Sequence, residues 1–92
     1  MAYPYASDKD EILSRLRKVE GQVRGVQRMV DGEGPCVDVL TQISAVISGM
    51  EKVGLLLLRD HMHSTLTQAA KAKDVDGKVD EVVRAVERFL QS

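Results

Sequence analysis

Between Cys36 and His61 the chain repeats one pattern without a break: Cys36, Leu40, Ile43, Ile47, Met50, Gly54, Leu57 and His61 follow in steps of four and three. That spacing is a heptad seam, one stripe along one long helix. Val39, Val46 and Val53 widen the stripe. No proline follows Pro35, so the helix is predicted to run to about Ala70, about 32 residues and about 48 Å of rod. A chain of 92 residues cannot enclose such a rod with what remains of it. A monomer this small buries only about 60–70% of the surface its unfolded chain exposes. The seam therefore calls for a partner.

The flanking segments are shorter. Ser7-Asp8-Lys9-Asp10 has the S-x-x-D form of a capping box. After it, Ile12, Leu16, Val19, Val23, Val26 and Val30 repeat the same steps and predict a first helix of about 22 residues. Gly32-Glu33-Gly34-Pro35 should stop it, since glycine ends helices and proline cannot continue one. Short polar residues over Lys71–Asp74 interrupt the second helix. Asp76 is the expected N-cap of a third helix of about 14 residues, whose apolar face holds Val79, Val82, Val83, Val86, Phe89 and Leu90. Residues 1–7 read as a flexible N-terminal arm and residues 8–92 as a single helical domain. The fold class is all-α: three helices with a long central one, paired antiparallel in a dimer to give a four-helix-bundle core. These lengths do not suit a helix-turn-helix, which pairs short helices across a tight turn.

Composition narrows the classes further. Thirteen basic and fourteen acidic residues leave a net charge of -1, which argues against charge-driven disorder and against a general polyanion binder. A single cysteine permits no intrachain disulfide and suits a reducing compartment. Met1–Asp10 has no apolar core of the signal-peptide kind. The longest unbroken apolar run, Leu55–Leu58, is far short of the ~20 residues of a membrane span. A cytoplasmic, oligomeric protein with no membrane partner is expected.

Cys36 and His61 open and close the seam. On one straight helix, 25 residues separate them by about 37 Å, so no ligand within one chain could touch both. Two copies lying antiparallel about a two-fold axis would change that. The axis would pass between Ser48 and Gly49, small enough for close backbone approach, and each Cys36 would face the partner's His61. A thiol and an imidazole are apt ligands for a soft ion such as Cu(I), and imidazole also suits Zn(II) and Ni(II). A plainer reading competes: a buried apolar cysteine and a solvated histidine near a helix end. No acid–base pair or glycine-rich phosphate loop accompanies the thiol, so the chain is not read as an enzyme.

Charge is unevenly spread. Met1–Val30 carries six basic and four acidic residues, net +2, while the remainder is net -3. On a helical wheel Arg17, Arg24 and Arg28 fall opposite the apolar seam, with Arg15 and Lys18 at its flank. Charge alone favours a solvated face with pairs such as Glu20–Arg24 over a DNA surface.

Two motifs make the chain similar to a known family. Arg15-Leu16-Arg17-Lys18-Val19-Glu20-Gly21-Gln22 resembles the R-L-x-x-x-x-G-Q opening of the copper-sensing operon repressors. Cys36-Val37-Asp38-Val39-Leu40-Thr41-Gln42-Ile43-Ser44-Ala45-Val46 resembles their C-x-D-V-L-x-Q-I-S-A-V signature, and His61 falls at the spacing of their histidine ligand. The similarity spans about Asp8 to Leu90. It implies an all-helical homotetramer, a dimer of antiparallel dimers. Such a protein represses transcription by holding operator DNA until an inducer binds between subunits at Cys36 and the partner's His61.

The resemblance also implies residue roles. Arg15 and Lys52 take the DNA-contact positions, Lys52 standing where arginine is common, and Arg17 and Lys18 join them as candidates. Glu81 is the implied outer-shell residue. Copper sensors of the family add a cysteine four residues after the histidine; here that position is Thr65, on the same helical face but a poor ligand. His63 projects about 200° away around the helix and does not replace it. Nickel/cobalt sensors need a histidine near the N-terminus and persulfide sensors a second cysteine; both are missing. The inducer is read as Cu(I) or another thiophilic metal. Two alternatives remain. One is formaldehyde or another electrophile, using Cys36 and an Ala2 amine that lacks the family's proline. The other is a helical metal carrier or assembly module without DNA.

Overall fold

The computed structural model describes residues 3–91. The described residues form three α-helices: α1 over Lys9–Asp31, α2 over Cys36–Ala72 and α3 over Val75–Leu90. They bear out the all-α, three-helix reading with its long central element. The chain divides into two compact units, Lys9–Val53 and Met1–Asp8 with Gly54–Ser92, and α2 contributes to both.

In the first unit α1 packs on the leading part of α2. The chain enters α1 through a single 3-10 turn, Ala6–Asp8, whose Asp8 N–H donates to the Tyr5 carbonyl at 3.0 Å. The helix therefore begins at Lys9, slightly later than a Ser7 cap would place it. Ile12 and Val19 are buried, whereas Val23 and Val30 are exposed, so only part of the α1 seam is used within the chain. The glycines at the end of α1 do not take the left-handed turn expected of them. Glu33 does, at φ 56. Its N–H donates to the Val30 carbonyl at 3.0 Å and that of Gly34 to the Met29 carbonyl at 2.8 Å, the paired bonds of a Schellman motif.

On α2 the broad apolar stripe splits. Val53 is buried and Val39 and Val46 half-buried. Leu40 remains 58% exposed and Ile47 53%, with Ile43 and Met50 exposed beside them. The widening residues are thus the ones used inside the chain, and the leading half of the seam lies open. Gly49 faces α1: a Cβ there would meet Val19 Cγ2 at 2.8 Å, so its smallness serves the contact between the two helices of one chain.

Judged over its length rather than by unbroken run, α2 is apolar and long enough to cross a bilayer. Only 6% of its most apolar stretch is buried within the chain. Surface of that kind needs covering.

The second unit holds the remainder of α2 against α3. Helix α2 runs 37 residues, longer than expected, and ends where Lys73 turns left-handed at φ 58 and donates its N–H to Ala69 at 2.9 Å. The N-cap of α3 is Asp74, not Asp76: its Oδ1 accepts the Gly77 N–H at 3.2 Å. The left-handed turn at Lys73 reverses the chain at once, so the next residue must cap, and Asp76 falls inside the first turn. Phe89 packs its ring onto the bare backbone of Gly54, leaving no room for a Cβ. Thr65, 2% exposed, is the most deeply buried side chain described, and Ala69 is buried one turn on.

The same unit carries a charged cluster. Arg59 Nη2 lies 3.3 Å from Asp8 Oδ2, and its Nε 3.7 Å from Asp60 Oδ1. The other Asp60 oxygen is buried and has no donor to accept from while both carboxyls are ionised; a proton on Asp60 lets it bond Asp8. A hydrogen bond shared with Asp8, and then burial, hold the Asp60 carboxyl above its usual 3.8, with Arg59 opposing.

Three outcomes follow for unfolding measured at one protein concentration. Glu33→Gly removes the left-handed strain and raises stability by about 0.5–1 kcal/mol. Gly54→Ala forces Phe89 aside and costs about 1–3 kcal/mol. Because the folded state favours protonated Asp60, the stability it contributes is full below the ordinary 3.8 and is lost as pH rises through the raised folded value. Asp60→Asn therefore gains on the parent as pH rises from about 4; a gap that stays constant contradicts the assignment.

Candidate functional site

Cys36 is the first residue of α2. Pro35 provides the carbonyl that accepts the N–H groups of Asp38 and Val39 at 3.0 and 3.2 Å, so the helix starts directly at the thiol residue, which is exposed. Proline suits this place because its fixed φ sets the turn into the helix while its carbonyl remains free to accept the first helical N–H groups. Within the chain no metal-ligating cluster surrounds the thiol: among the described residues no three Cys, His, Asp or Glu side chains gather as a metal site.

His61 sits in the second unit. Its half-buried ring lines an apolar cavity of about 260 Å³ together with Gly54, Leu57, Leu58, Ala85 and Phe89. The imidazole is thus in the neighbourhood of α3, at the place where Phe89 rests on Gly54. Thr65, one turn further along α2, is fully packed. His63 lies on another face and lines a separate cavity with Tyr3, Pro4 and Asp60, as its position on the wheel requires. Glu81 is half-buried on α3, one turn before Ala85. Its carboxylate pairs with Lys78 at 3.4 Å, and Lys78 also donates to Gln68 Oε1 at 3.3 Å. The Ala2 amine lies outside the described residues.

The basic candidates separate into two groups. Arg15 and Lys18 of α1 and Lys52 of α2 ring one groove of about 260 Å³ in the first unit. Arg15 also holds Glu11, Nε to Oε2 at 3.2 Å, and both side chains remain about half exposed, so the pair is weak and easily exchanged. Arg17 is exposed but does not line the groove. Arg24, which shares the Arg17 face on the wheel, is paired with Glu20 at 3.5 Å. Two groove residues escape a reading by charge: Gln22 and Ser48. Gln22 closes the R-L-x-x-x-x-G-Q motif, which is the available signal.

Residues 8–88 match the model of the metal-sensitive transcriptional repressor family. The copper-sensing transcriptional repressor RicR of Mycobacterium tuberculosis is 44% identical, over 99% of this chain and 97% of that one. CsoR of Bacillus subtilis, also a copper-sensing transcriptional repressor, is 42% identical over 95% of this chain and 86% of its own. Among solved structures, the nickel-responsive regulator InrS superposes with a TM-score of 0.83 at 36% identity, covering 87% of this chain and 90% of that one. The Cu(I)-bound copper-sensing repressor CsoR of Geobacillus thermodenitrificans superposes with a TM-score of 0.81 at 32% identity, covering 94% and 90%. With the fold, both sequence motifs and nearly the full length in agreement, the chain belongs to the metal-sensitive transcriptional repressor family.

Proposed function

We propose that this repressor responds to Cu(I), held by Cys36 of one protomer and the partner's His61. The observation that carries the reading is the open seam. Cys36 and His61 terminate one heptad stripe on one helix, and the stripe from Leu40 to Met50 is exposed in the protomer. Antiparallel pairing of two copies covers that stripe and joins each thiol to an imidazole. The copper-sensing relatives at 42% and 44% identity support copper as the inducer.

The donor set fits the ion. Thiolate and imidazole are ligands that Cu(I) favours, and two donors satisfy it. Thr65 brings no third donor: its hydroxyl is hard and its side chain is fully packed. The bound ion supplies a soft link between a thiolate and an imidazole of different chains. The rest is done by the protein. Because Ala85 and Phe89 line the His61 cavity, any reorientation of the ring is felt by α3. Release from the operator is then a coupling free energy between the inducer site and the DNA surface, typically about 1–3 kcal/mol. Arg15, Lys18 and Lys52 supply the cations for DNA, multiplied by the copies in a homotetramer, so a net charge of -1 is no obstacle. The protein works in the cytoplasm with its operator and catalyses no reaction.

Anisotropy of a fluorescent duplex carrying the promoter of its own gene tests this. The reduced, metal-free protein binds the duplex, Cu(I) releases it and formaldehyde does not. Cys36→Ala binds equally well and is no longer released. Release of Cys36→Ala by Cu(I) contradicts the assignment. Thr65→Cys, close in volume, supplies the missing thiolate and tightens Cu(I) binding on the order of 100-fold, read by competition with a Cu(I) chelator.

A further inference from the structure

The basic groove contains more than its cations. Arg15, Lys18 and Gln22 lie at i, i+3 and i+7 on one face of α1, and Ser48 and Lys52 at i, i+4 on α2. Among the described residues no carboxylate lines the groove. Gly49 lets the two helices come close beside it: a Cβ there would meet the Val19 methyl at 2.8 Å and lie 3.6 Å from Gln22 Oε1. Gln22 is a half-buried neutral amide in the lining of a cationic groove. Packing alone would be served as well by an apolar side chain. On the wheel Ser48 and Lys52 lie about 120° and about 160° around α2 from the centre of the exposed seam, so they stand on a face that covering the seam leaves free, and Ser48 does not point at the two-fold axis expected beside it.

Lysine and arginine draw a polyanion from a distance but fix it poorly, because exposed charges are screened and mobile. Position comes from short donors at defined places. A groove of about 260 Å³ has room for one phosphodiester group. We propose that Gln22 and Ser48 are neutral DNA contacts, hydrogen-bonding one backbone phosphate that the groove seats, while Arg15, Lys18 and Lys52 neutralise that phosphate and its neighbours along the strand. Gln22 and Ser48 fix the register on the duplex without reading its sequence. The assignment rests on the family's DNA-binding role and names the seat within it.

Salt dependence separates the neutral donors from the cations. Binding to the labelled promoter duplex is measured across a salt series for the parent and for Gln22→Met, Ser48→Ala, Lys18→Ala and Arg15→Ala. Lys18→Ala and Arg15→Ala flatten the slope of log affinity against log salt by about 0.9 for each phosphate left without its cation. Gln22→Met keeps the volume over Gly49 and lowers affinity about five- to tenfold at every salt concentration, with the slope unchanged. Ser48→Ala, on an exposed residue whose change leaves the fold alone, does the same to a smaller extent. Parental affinity in both Gln22→Met and Ser48→Ala overturns the seat, even if the charge variants weaken binding. Parental affinity and slope in Arg15→Ala and Lys18→Ala would instead overturn the groove as the DNA surface, and the seat with it.

Discussion

A stripe of aliphatic side chains that its own chain cannot cover governs this molecule. Helix α2 directs Val39, Val46 and Val53 inward and leaves Leu40, Ile43, Ile47 and Met50 exposed. Burying such area is worth roughly 25 cal/mol per Å², a driving force available only from another chain. The same stripe carries a thiol at one end and an imidazole at the other. Assembly and inducer recognition are therefore proposed to share one surface, so that a site absent from the single chain forms when two chains meet.

The two compact units divide the remaining work. In one, α1 and the leading part of α2 gather Arg15, Lys18 and Lys52 around a groove where Gly49 lets the two helices come close. In the other, α3 lies against α2 with Phe89 on Gly54 and Ala85 in the cavity of His61. Thr65 packs where copper sensors of the family carry a further cysteine. The proposed inducer site consequently rests on two soft donors and on the packing around them rather than on a closed ligand cage.

Much of this is legible in the sequence because helical periodicity is a strong signal over long stretches. The order of three helices and the seam from Cys36 to His61 follow from spacing alone. The motif from Arg15 to Gln22 and the one opening at Cys36 identify the family. Finer features depend on which of several equivalent residues wins a contact. Glu33 rather than a neighbouring glycine takes the left-handed turn, since the Schellman bonds are set by where α1 stops. Asp74 displaces Asp76 as cap because Lys73 turns the chain one step earlier. Whether Gly49 serves its own chain or a partner is a question of which face meets α1, and spacing does not answer it. Gln22 is legible only as the end of a motif and not as a groove residue, because charge counting does not register an amide.

Subunit complementation tests the shared site most directly. Cys36→Ala and His61→Ala chains are unfolded, mixed in equal amounts and refolded together, and Cu(I) uptake is measured against a chelator. Neither variant alone should retain tight uptake, whereas each mixed dimer should regain one site from the intact thiol of one chain and the intact imidazole of the other. Mixed dimers that form but take up no Cu(I) would contradict a site built across two chains.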